Sequence, residues 1–272
     1  MKILFFTSLF FYLIHVNLFA FEQISVHENN KSYQGILCIT VSKSGTNLLK
    51  VILENLLDIK PIGPTASYSK DALNKLIYCN QPYFFHPIEE NVYWYVFDYP
   101  KAQKILLLRD PRDAVISLVD FLDKAGTKGT EITKIWPQLR LQNADWMKYD
   151  RKKKIKAILN TDSFVRSFNR IDEIIGKCEN TYVCKFEKLI SNKSCNVEAI
   201  LDLAKFLEIP INFNDASLIA QNSYGSPNSS TFFKGVSGRW KEEFDEELKI
   251  LFKQNPLNQY LLRWDYEKNN AW

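Results

Sequence analysis

Short, wholly apolar runs alternate along the chain with segments whose apolar residues recur at helical spacing. Strands buried on both faces are expected to read as continuous apolar runs. The pattern predicts strands at 35–41, 82–86, 104–108 and 181–186. It predicts helices at 47–57, 113–124, 130–149, 161–176, 196–207 and 241–253, the second of them capped by Asp113. This order predicts an α/β fold with three layers, in which helices cover both faces of a parallel central sheet.

The first twenty residues differ from the rest of the chain. Lys2 precedes an apolar run from Ile3 to Ile14, and a weaker apolar stretch continues to Ala20. This arrangement is typical of a secretory signal peptide, and the run is nearly long enough for a signal anchor; a buried N-terminal strand or helix is the alternative. We therefore predict a leader over 1–20 and a single domain over 21–272. The leader predicts export or membrane association in the secretory pathway, and a cytoplasmic location if it is not functional.

Length and composition narrow the range of functions. The chain has 272 residues, of which 46% are hydrophobic and 24% charged, so it fits one large globular domain. Its net charge of +4 suits a small anionic ligand and is too weak to indicate nucleic acid. The five cysteines form no CxxC pair, which argues against zinc. Cys178, Cys184 and Cys195 could include one disulfide in an exported protein.

A polar turn links the first predicted strand to the first predicted helix. It reads Thr40-Val-Ser-Lys-Ser-Gly-Thr-Asn-Leu48. The first amides of a helix have no acceptor in the preceding turn, and the helix dipole favours an anion, so such a turn binds phosphate. It differs from the GxxxxGK[ST] loop of nucleoside-triphosphate-binding proteins. Gly45 allows close approach of the backbone, and charge and side-chain donors come from Lys43, Ser44, Thr46 and Asn47.

A second candidate phosphate contact follows the strand at 104–108. Arg109 at the strand tip offers a forked, permanently charged donor, and Ser117 on the second turn of the next helix can face the same pocket. A kinase would need a carboxylate for magnesium at such a strand tip, whereas an arginine suits a bound anion. The alternative is a set of surface ion pairs among Arg109, Asp110, Arg112 and Asp113.

These segments resemble the motifs of the sulfotransferases that use 3′-phosphoadenosine-5′-phosphosulfate (PAPS), in a layout nearest to the cytosolic-type alcohol and aryl sulfotransferases. Lys43-Ser-Gly-Thr46 resembles their 5′-phosphosulfate loop TYPKSGTTW, and the segment from Arg109 to Ser117 resembles their 3′-phosphate motif. Phe232-Phe-Lys-Gly-Val-Ser-Gly-Arg-Trp-Lys241 resembles their C-terminal RKGxxGDWK. The resemblance implies that the 3′-phosphate is held by Arg109, Ser117, Lys234 and Gly235, and that Tyr224 stacks on the adenine.

The chain departs from these motifs at named positions. Phe233 stands where the family has an arginine on the 3′-phosphate, and Arg239 stands where it has an aspartate. The family's general base lies in a KTHxP-like stretch, and His86 in Phe84-Phe-His-Pro87 occupies that place, although a lone histidine after a strand is more often structural. Because Phe84 replaces the lysine of that stretch, Lys43 would compensate the charge of the leaving group alone.

The resemblance implies an enzyme that moves a sulfuryl group from PAPS to a hydroxyl or amine of a small-molecule or glycan acceptor, without a metal. Two alternatives are an atypical kinase with a P-loop-like turn and a degenerate nucleotide-binding protein of the same fold. The basic run Arg151–Lys156 predicts a solvated helix face, with a contact to an acidic acceptor or anionic lipid as the alternative. The aromatic stretches 82–85 and 93–99 predict core packing, with an acceptor pocket as the alternative.

Overall fold

The computed structural model describes residues 35–63, 74, 81–87, 90–130, 139, 143–191, 193–223 and 235–272. The predicted leader 1–20 and the residues 224–234, which include Tyr224 and Lys234, lie outside the described residues. No helix within the described ranges has the length and apolar character to cross a membrane.

Four parallel strands form the centre of the fold: β1 (Ile36–Thr40), β2 (Tyr83–Phe85), β3 (Gln103–Leu108) and β4 (Thr181–Lys185). Their order across the sheet is β2-β1-β3-β4, with Cys38 beside both Phe84 and Ile105. The chain thus leaves β1 toward one side and later returns to its other side. The carboxyl ends of β1 and β3 flank the point where the strand order reverses, which is where parallel α/β sheets bind their ligands.

Alternate residues of each strand face opposite sides of the sheet. In β1, Leu37 and Ile39 join one buried cluster, while Ile36 and Cys38 join another on the opposite face. Because both faces are buried, β1 and β3 need apolar residues at nearly every position. The predicted three-layer α/β fold with a parallel sheet is confirmed.

Helices pack on both faces of the sheet. The first cluster draws on the helices at 111–127, 151–159 and 162–177 among others, and the second on the helices at 46–57, 186–190, 193–206 and 213–223. The described helices are α1 (Thr46–Leu57), α2 (Glu90–Asp98), α3 (Pro111–Thr127), α4 (Asn143–Lys148), α5 (Arg151–Leu159), α6 (Asp162–Lys177), α7 (Phe186–Ile190), α8 (Lys193–Phe206), α9 (Phe213–Ser223), α10 (Trp240–Glu243), α11 (Glu246–Gln254) and α12 (Asn258–Arg263).

The helices predicted at 113–124 and 241–253 differ in the structure in ways that have a clear physical cause. The predicted cap of α3 was wrong, because Asp110 rather than Asp113 is the N-cap: its carboxylate accepts a hydrogen bond from the amide of Arg112 at 2.9 Å. Pro111 is suited to the first helical position, so α3 starts two residues earlier than predicted. The helix predicted at 241–253 is two helices, because Asp245 is extended and caps α11 by accepting from the amide of Leu248.

The basic run does not form a free solvated face. Arg151 and Lys154 are drawn toward α3, where Arg151 Nη1 lies 2.8 Å from Asp120 and Lys154 Nζ lies 2.8 Å from Asp123. Lys152 and Lys156 both contact Glu247 of α11. The run therefore fastens α5 to its neighbours, and these paired charges are poor candidates for the lipid or acidic-acceptor contact.

The described cysteines form no disulfide bond. Cys178, Cys184 and Cys195, among which the sequence allowed one disulfide, are all unbridged in the structure.

Candidate active site

The turn between β1 and α1 is built by an unusual backbone path. The Ser44 amide donates to the Val41 carbonyl at 3.1 Å, and its buried hydroxyl donates to the same oxygen at 2.7 Å. Lys43 (φ 70°) and Gly45 (φ 102°) both have left-handed backbone, and Gly45 is the N-cap of α1. Ser44 therefore shapes the turn from inside, and the first amides of α1 open at the carboxyl edge of the sheet, as in anion-binding turns.

Besides its left-handed backbone, the packing around Gly45 also excludes a side chain at this position. A Cβ at this position would lie 2.4 Å from Cδ2 of Phe186, the first residue of α7. That distance is far below van der Waals contact, and the positive φ disfavours any side chain as well. The aromatic ring of Phe186 thus packs directly against the phosphate-binding turn.

Arg109, at the tip of β3, joins three segments that are distant in sequence. Its Nη1 donates to the carbonyl of Lys43 at 2.8 Å, and its Nη2 donates to the carbonyl of Val236 at 3.2 Å. The guanidinium carbon lies 4.4 Å from the ring centroid of Phe186. Its Nε is buried with no hydrogen-bond partner among the residues that the structure describes. The arginine thus presents an unsatisfied donor where the turn after β1 meets the segment 235–238.

The acidic residues that follow Arg109 hold this junction together. Asp113 accepts from the amides of Gly238 at 2.5 Å and of Trp240 at 3.0 Å, which fastens the C-terminal segment to α3. Arg112 pairs with Asp110 at 2.7 Å and lies 3.6 Å from the Trp240 ring centroid. The alternative of surface ion pairs is wrong, because all four charged residues from 109 to 113 are at most 6% exposed.

His86 follows β2 and is held by the backbone of β1. Its Nδ1 lies 2.7 Å from the carbonyl oxygen of Thr40, which can only accept, so Nδ1 carries the proton. The Thr40 hydroxyl lies 3.1 Å from the same nitrogen and 2.9 Å from the hydroxyl of Thr46. In this tautomer Nε2 keeps its lone pair. Burial lowers the pKa of His86, the Thr40 hydrogen bond raises it, and the charge of Lys43 lowers it further.

The Lys43 ammonium group lies on the face of α3. Its Nζ is 4.4 Å from the ring centroid of Phe121. Burial and then the positive charge of Arg109 lower the pKa of Lys43 to about 8, against a smaller opposing effect of Asp120. The ammonium is therefore only weakly hydrated and easily attracted to an anion.

The remaining predicted residues have different outcomes. Thr46 and Asn47 lie in the first turn of α1, Ser117 is half-buried on the second turn of α3, and Gly235 opens the segment that contacts Arg109. Tyr224 and Lys234 lie outside the described residues. Within the described part of the chain, no group of three or more histidine, cysteine or acidic side chains is placed to hold a metal ion.

Arg239, which stands in place of the family's aspartate, forms ion pairs with acidic residues away from the phosphate-binding turn. Its two terminal nitrogens contact Asp120 at 2.5 Å and Glu243 at 3.0 Å. Both acids also contact Arg151, so the four side chains form a closed ring of alternating charge. In this arrangement Arg239 links α3, α5 and α10, and it does not supply the charge that Phe233 lacks.

Sequence reasoning missed two of these roles. It placed Asp113 at a helix N-terminus, whereas its carboxylate holds the segment 238–240 from 125 and 127 residues away. It also assigned no role to the Thr40 carbonyl, because main-chain groups leave no trace in residue identity. The one available signal was the position of Thr40 at the end of the predicted strand, because a strand end places a main-chain carbonyl at the edge of the sheet.

The turn after β1, Arg109 after β3 and His86 after β2 all lie at the carboxyl edge of the parallel sheet of an α/β protein, where such folds bind their ligands. Mouse sulfotransferase SULT7A1, complexed with PAP, is 17% identical with a TM-score of 0.61, and the match covers 86% of each chain. Retinol dehydratase, in complex with androsterone and inactive cofactor PAP, is 13% identical with a TM-score of 0.52, over 85% of this chain and 82% of its own. Both likenesses establish the fold.

No curated protein sequence is significantly similar to the chain. The family model described as the sulfotransferase domain matches residues 34–255. The chain therefore belongs to the sulfotransferase domain family.

Proposed function

We propose that this protein transfers the sulfuryl group of PAPS to a hydroxyl or amine of an acceptor, with His86 as general base and Lys43 as the cation on the leaving group. The observation that carries the proposal is the 2.7 Å contact between His86 Nδ1 and the Thr40 carbonyl. It holds His86, which follows β2, beside the phosphate-binding turn that follows β1. This contact fixes the tautomer whose Nε2 can accept a proton.

The reaction is balanced by three bond changes. The acceptor oxygen or nitrogen forms a bond to sulfur and gives its proton to Nε2 of His86. The bond between sulfur and the bridging oxygen of the 5′-phosphosulfate breaks, and its electron pair stays on the phosphate. By analogy with phosphoryl transfer, the transition state is loose, so positioning and charge compensation dominate. Lys43 and the amides at the start of α1 are placed to compensate the charge that grows on the 5′-phosphate.

The donor contacts follow from the same geometry. Arg109 has a buried Nε without a partner in the described part of the chain, beside a segment that holds Gly235. An incoming 3′-phosphate would offer oxygens to this guanidinium and to Ser117 on the facing helix. Tyr224 and Lys234 complete the proposed donor contacts on the basis of the family resemblance alone.

Calorimetry with 3′-phosphoadenosine 5′-phosphate (PAP), the donor without its sulfuryl group, tests the proposal first. We expect PAP to bind without metal and more tightly than ATP with magnesium. Sulfate transfer from radiolabelled PAPS to an acceptor panel then tests catalysis. Tighter binding of ATP with magnesium would favour the kinase alternative, and PAP binding without transfer would favour the degenerate binding protein.

Replacing Arg109 by alanine is expected to weaken PAP binding about 10- to 100-fold, the loss of a charge-assisted contact to phosphate. Binding of 5′-AMP, which lacks the 3′-phosphate, should change far less. The two affinities can be measured by calorimetry on the same preparations. Because Arg109 also donates to the Lys43 carbonyl, the 5′-AMP arm reports any damage to the turn. Equal weakening of both ligands would identify Arg109 as a structural residue.

The pH dependence of kcat/KM for PAPS is expected to be bell-shaped. The reaction needs neutral His86, and because burial lowers its pKa from 6.5, the acid limb should lie below pH 6.5. It also needs charged Lys43, whose pKa of about 8 predicts a basic limb near that pH. Bound donor anion stabilises the ammonium, so the basic limb of kcat should lie at higher pH. A Lys43→Arg variant should lose the basic limb, and an unchanged limb would contradict this assignment.

A further inference from the structure

Lys50 stands beside the proposed base. It lies on α1 one turn beyond Thr46, on the same face of the helix. Its Nζ lies 5.5 Å from the ring centroid of Phe84, two residues before His86. Thr46 in turn contacts Thr40, whose carbonyl fixes His86. The Lys50 ammonium thus lies on the side of the site that is formed by β2.

This ammonium is half-buried and has no acidic partner among the residues that the structure describes. Within the described part of the chain it makes no hydrogen bond or ion pair, and burial lowers its pKa. Some enclosed cations of the fold are paired with acids, as Arg112 is with Asp110 and Lys154 with Asp123, whereas Lys50, like Arg109 in the proposed donor site, has no acidic partner in the described part of the chain. Removing a charge from water without a partner is unfavourable, so such a group persists where an anion completes it in the working complex.

The position of Lys50 separates it from the donor contacts. Lys43 and Arg109 follow β1 and β3, which are neighbours, whereas Phe84 belongs to β2 on the other side of β1. The proposed base also follows β2, and a base must touch the acceptor rather than the donor. Lys50 therefore lies on the acceptor side of the site.

We propose that Lys50 binds an oxyanion of the acceptor, a carboxylate or a sulfo group, so that the preferred acceptors are hydroxyl compounds that already carry a negative charge. The ammonium contacts this oxyanion while His86 receives the proton of the hydroxyl group. Phe84, which replaces a lysine of the family motif, supplies the aromatic face over which the Lys50 ammonium lies. This inference rests on the proposed sulfotransferase activity, since it concerns the acceptor of the same reaction.

Binding of matched phenols to the PAP-loaded protein tests the inference. The probes are 4-hydroxybenzoate, 4-hydroxyphenylacetate and 3-(4-hydroxyphenyl)propanoate, which vary the spacer, together with 4-hydroxybenzenesulfonate. Each is compared with its neutral amide or sulfonamide by calorimetry. We expect at least one anion to bind about tenfold or more tightly than its neutral counterpart. Lys50→Met should abolish this preference without lowering the melting temperature, Lys50→Arg should retain it, and removal of the exposed Lys60 charge in Lys60→Met should leave it unchanged.

The outcomes separate this inference from the function on which it rests. Failure of PAP to bind would contradict the proposed function itself. Normal PAP binding with no preference for any anion, or a preference that survives in Lys50→Met, would overturn the role of Lys50 alone. Binding of none of the phenols to a PAP-loaded protein would also overturn it. A carboxylate preference without a sulfonate preference, or the reverse, identifies which oxyanion the site accepts.

Discussion

Replacing Lys43 by alanine is expected to lower kcat about 100- to 1000-fold, the usual loss when one charge-stabilising group is removed from a transfer site. The protein should stay folded. The Lys43 carbonyl, which accepts from Arg109, belongs to the main chain and is kept, and the side chain lies over Phe121 without filling the core. Steady-state kinetics with PAPS, alongside thermal unfolding, measures both quantities.

A matched control is available on the neighbouring helix. Lys124 is exposed, and its charge lies close enough to affect the pKa of Lys43. Lys124→Ala removes a positive charge from the same region and should leave kcat within about twofold of wild type, since exposed charges are strongly screened. Turnover of Lys43→Ala close to that of wild type would refute the role proposed for Lys43.

The second large effect is expected at His86. Asparagine places its side-chain amide where Nδ1 lies, so His86→Asn can still donate to the Thr40 carbonyl but has no group in the place of Nε2. We expect kcat to fall about 100- to 10,000-fold, the usual contribution of a general base. Affinity for PAP should be unchanged, because no donor contact is assigned to the imidazole.

The pH profile distinguishes a base from a merely structural histidine. If His86 accepts the proton, the residual activity of His86→Asn should lose the acid limb seen in the wild type. A residual profile that keeps the limb would assign it to another group. A fall in melting temperature together with weaker PAP binding would show that His86 maintains the site instead.

One departure from the family motif favours the alternative of a degenerate nucleotide-binding protein, whereas the geometry of the site argues against it. Phe233 replaces a phosphate-binding arginine, and Arg239 does not compensate, because it is held by Asp120 and Glu243. Yet the turn, Arg109 and His86 retain hydrogen bonds that orient them toward one edge of the sheet. The expected consequence is a weaker hold on the 3′-phosphate in a site that still has the groups needed for transfer.

Much of the fold was readable from local pattern. Strands β1 and β3 are buried on both faces, so their sequences are apolar at consecutive positions, and their alternation with amphipathic helices indicates a parallel α/β sheet. The turn from Lys43 to Thr46 was readable for a similar reason. A glycine with left-handed backbone and a lysine before a helix start form a local motif, which depends on neighbours in sequence rather than on distant contacts.

Boundaries were less readable, because several local arrangements fit the same residues. Asp110 and Asp113 are both acceptable helix caps, and only the contact of Asp113 with the amides of Gly238 and Trp240 separates their roles. The basic run 151–156 likewise predicted a solvated face, because its acidic partners are distant in sequence. Some of them lie more than 80 residues later in the chain, and others lie earlier on α3.

The sequence by itself determined the fold class, the phosphate-binding turn and the set of candidate residues, because each is encoded by residues within a few positions of one another. Only the tertiary structure decided which of them meet. Arg109 contacts the Lys43 carbonyl 66 residues away, and His86 contacts the Thr40 carbonyl 46 residues away. The partners in both contacts are main-chain oxygens, which every residue possesses. Their positions depend on strand order and register, and those are fixed by packing on both faces of the sheet.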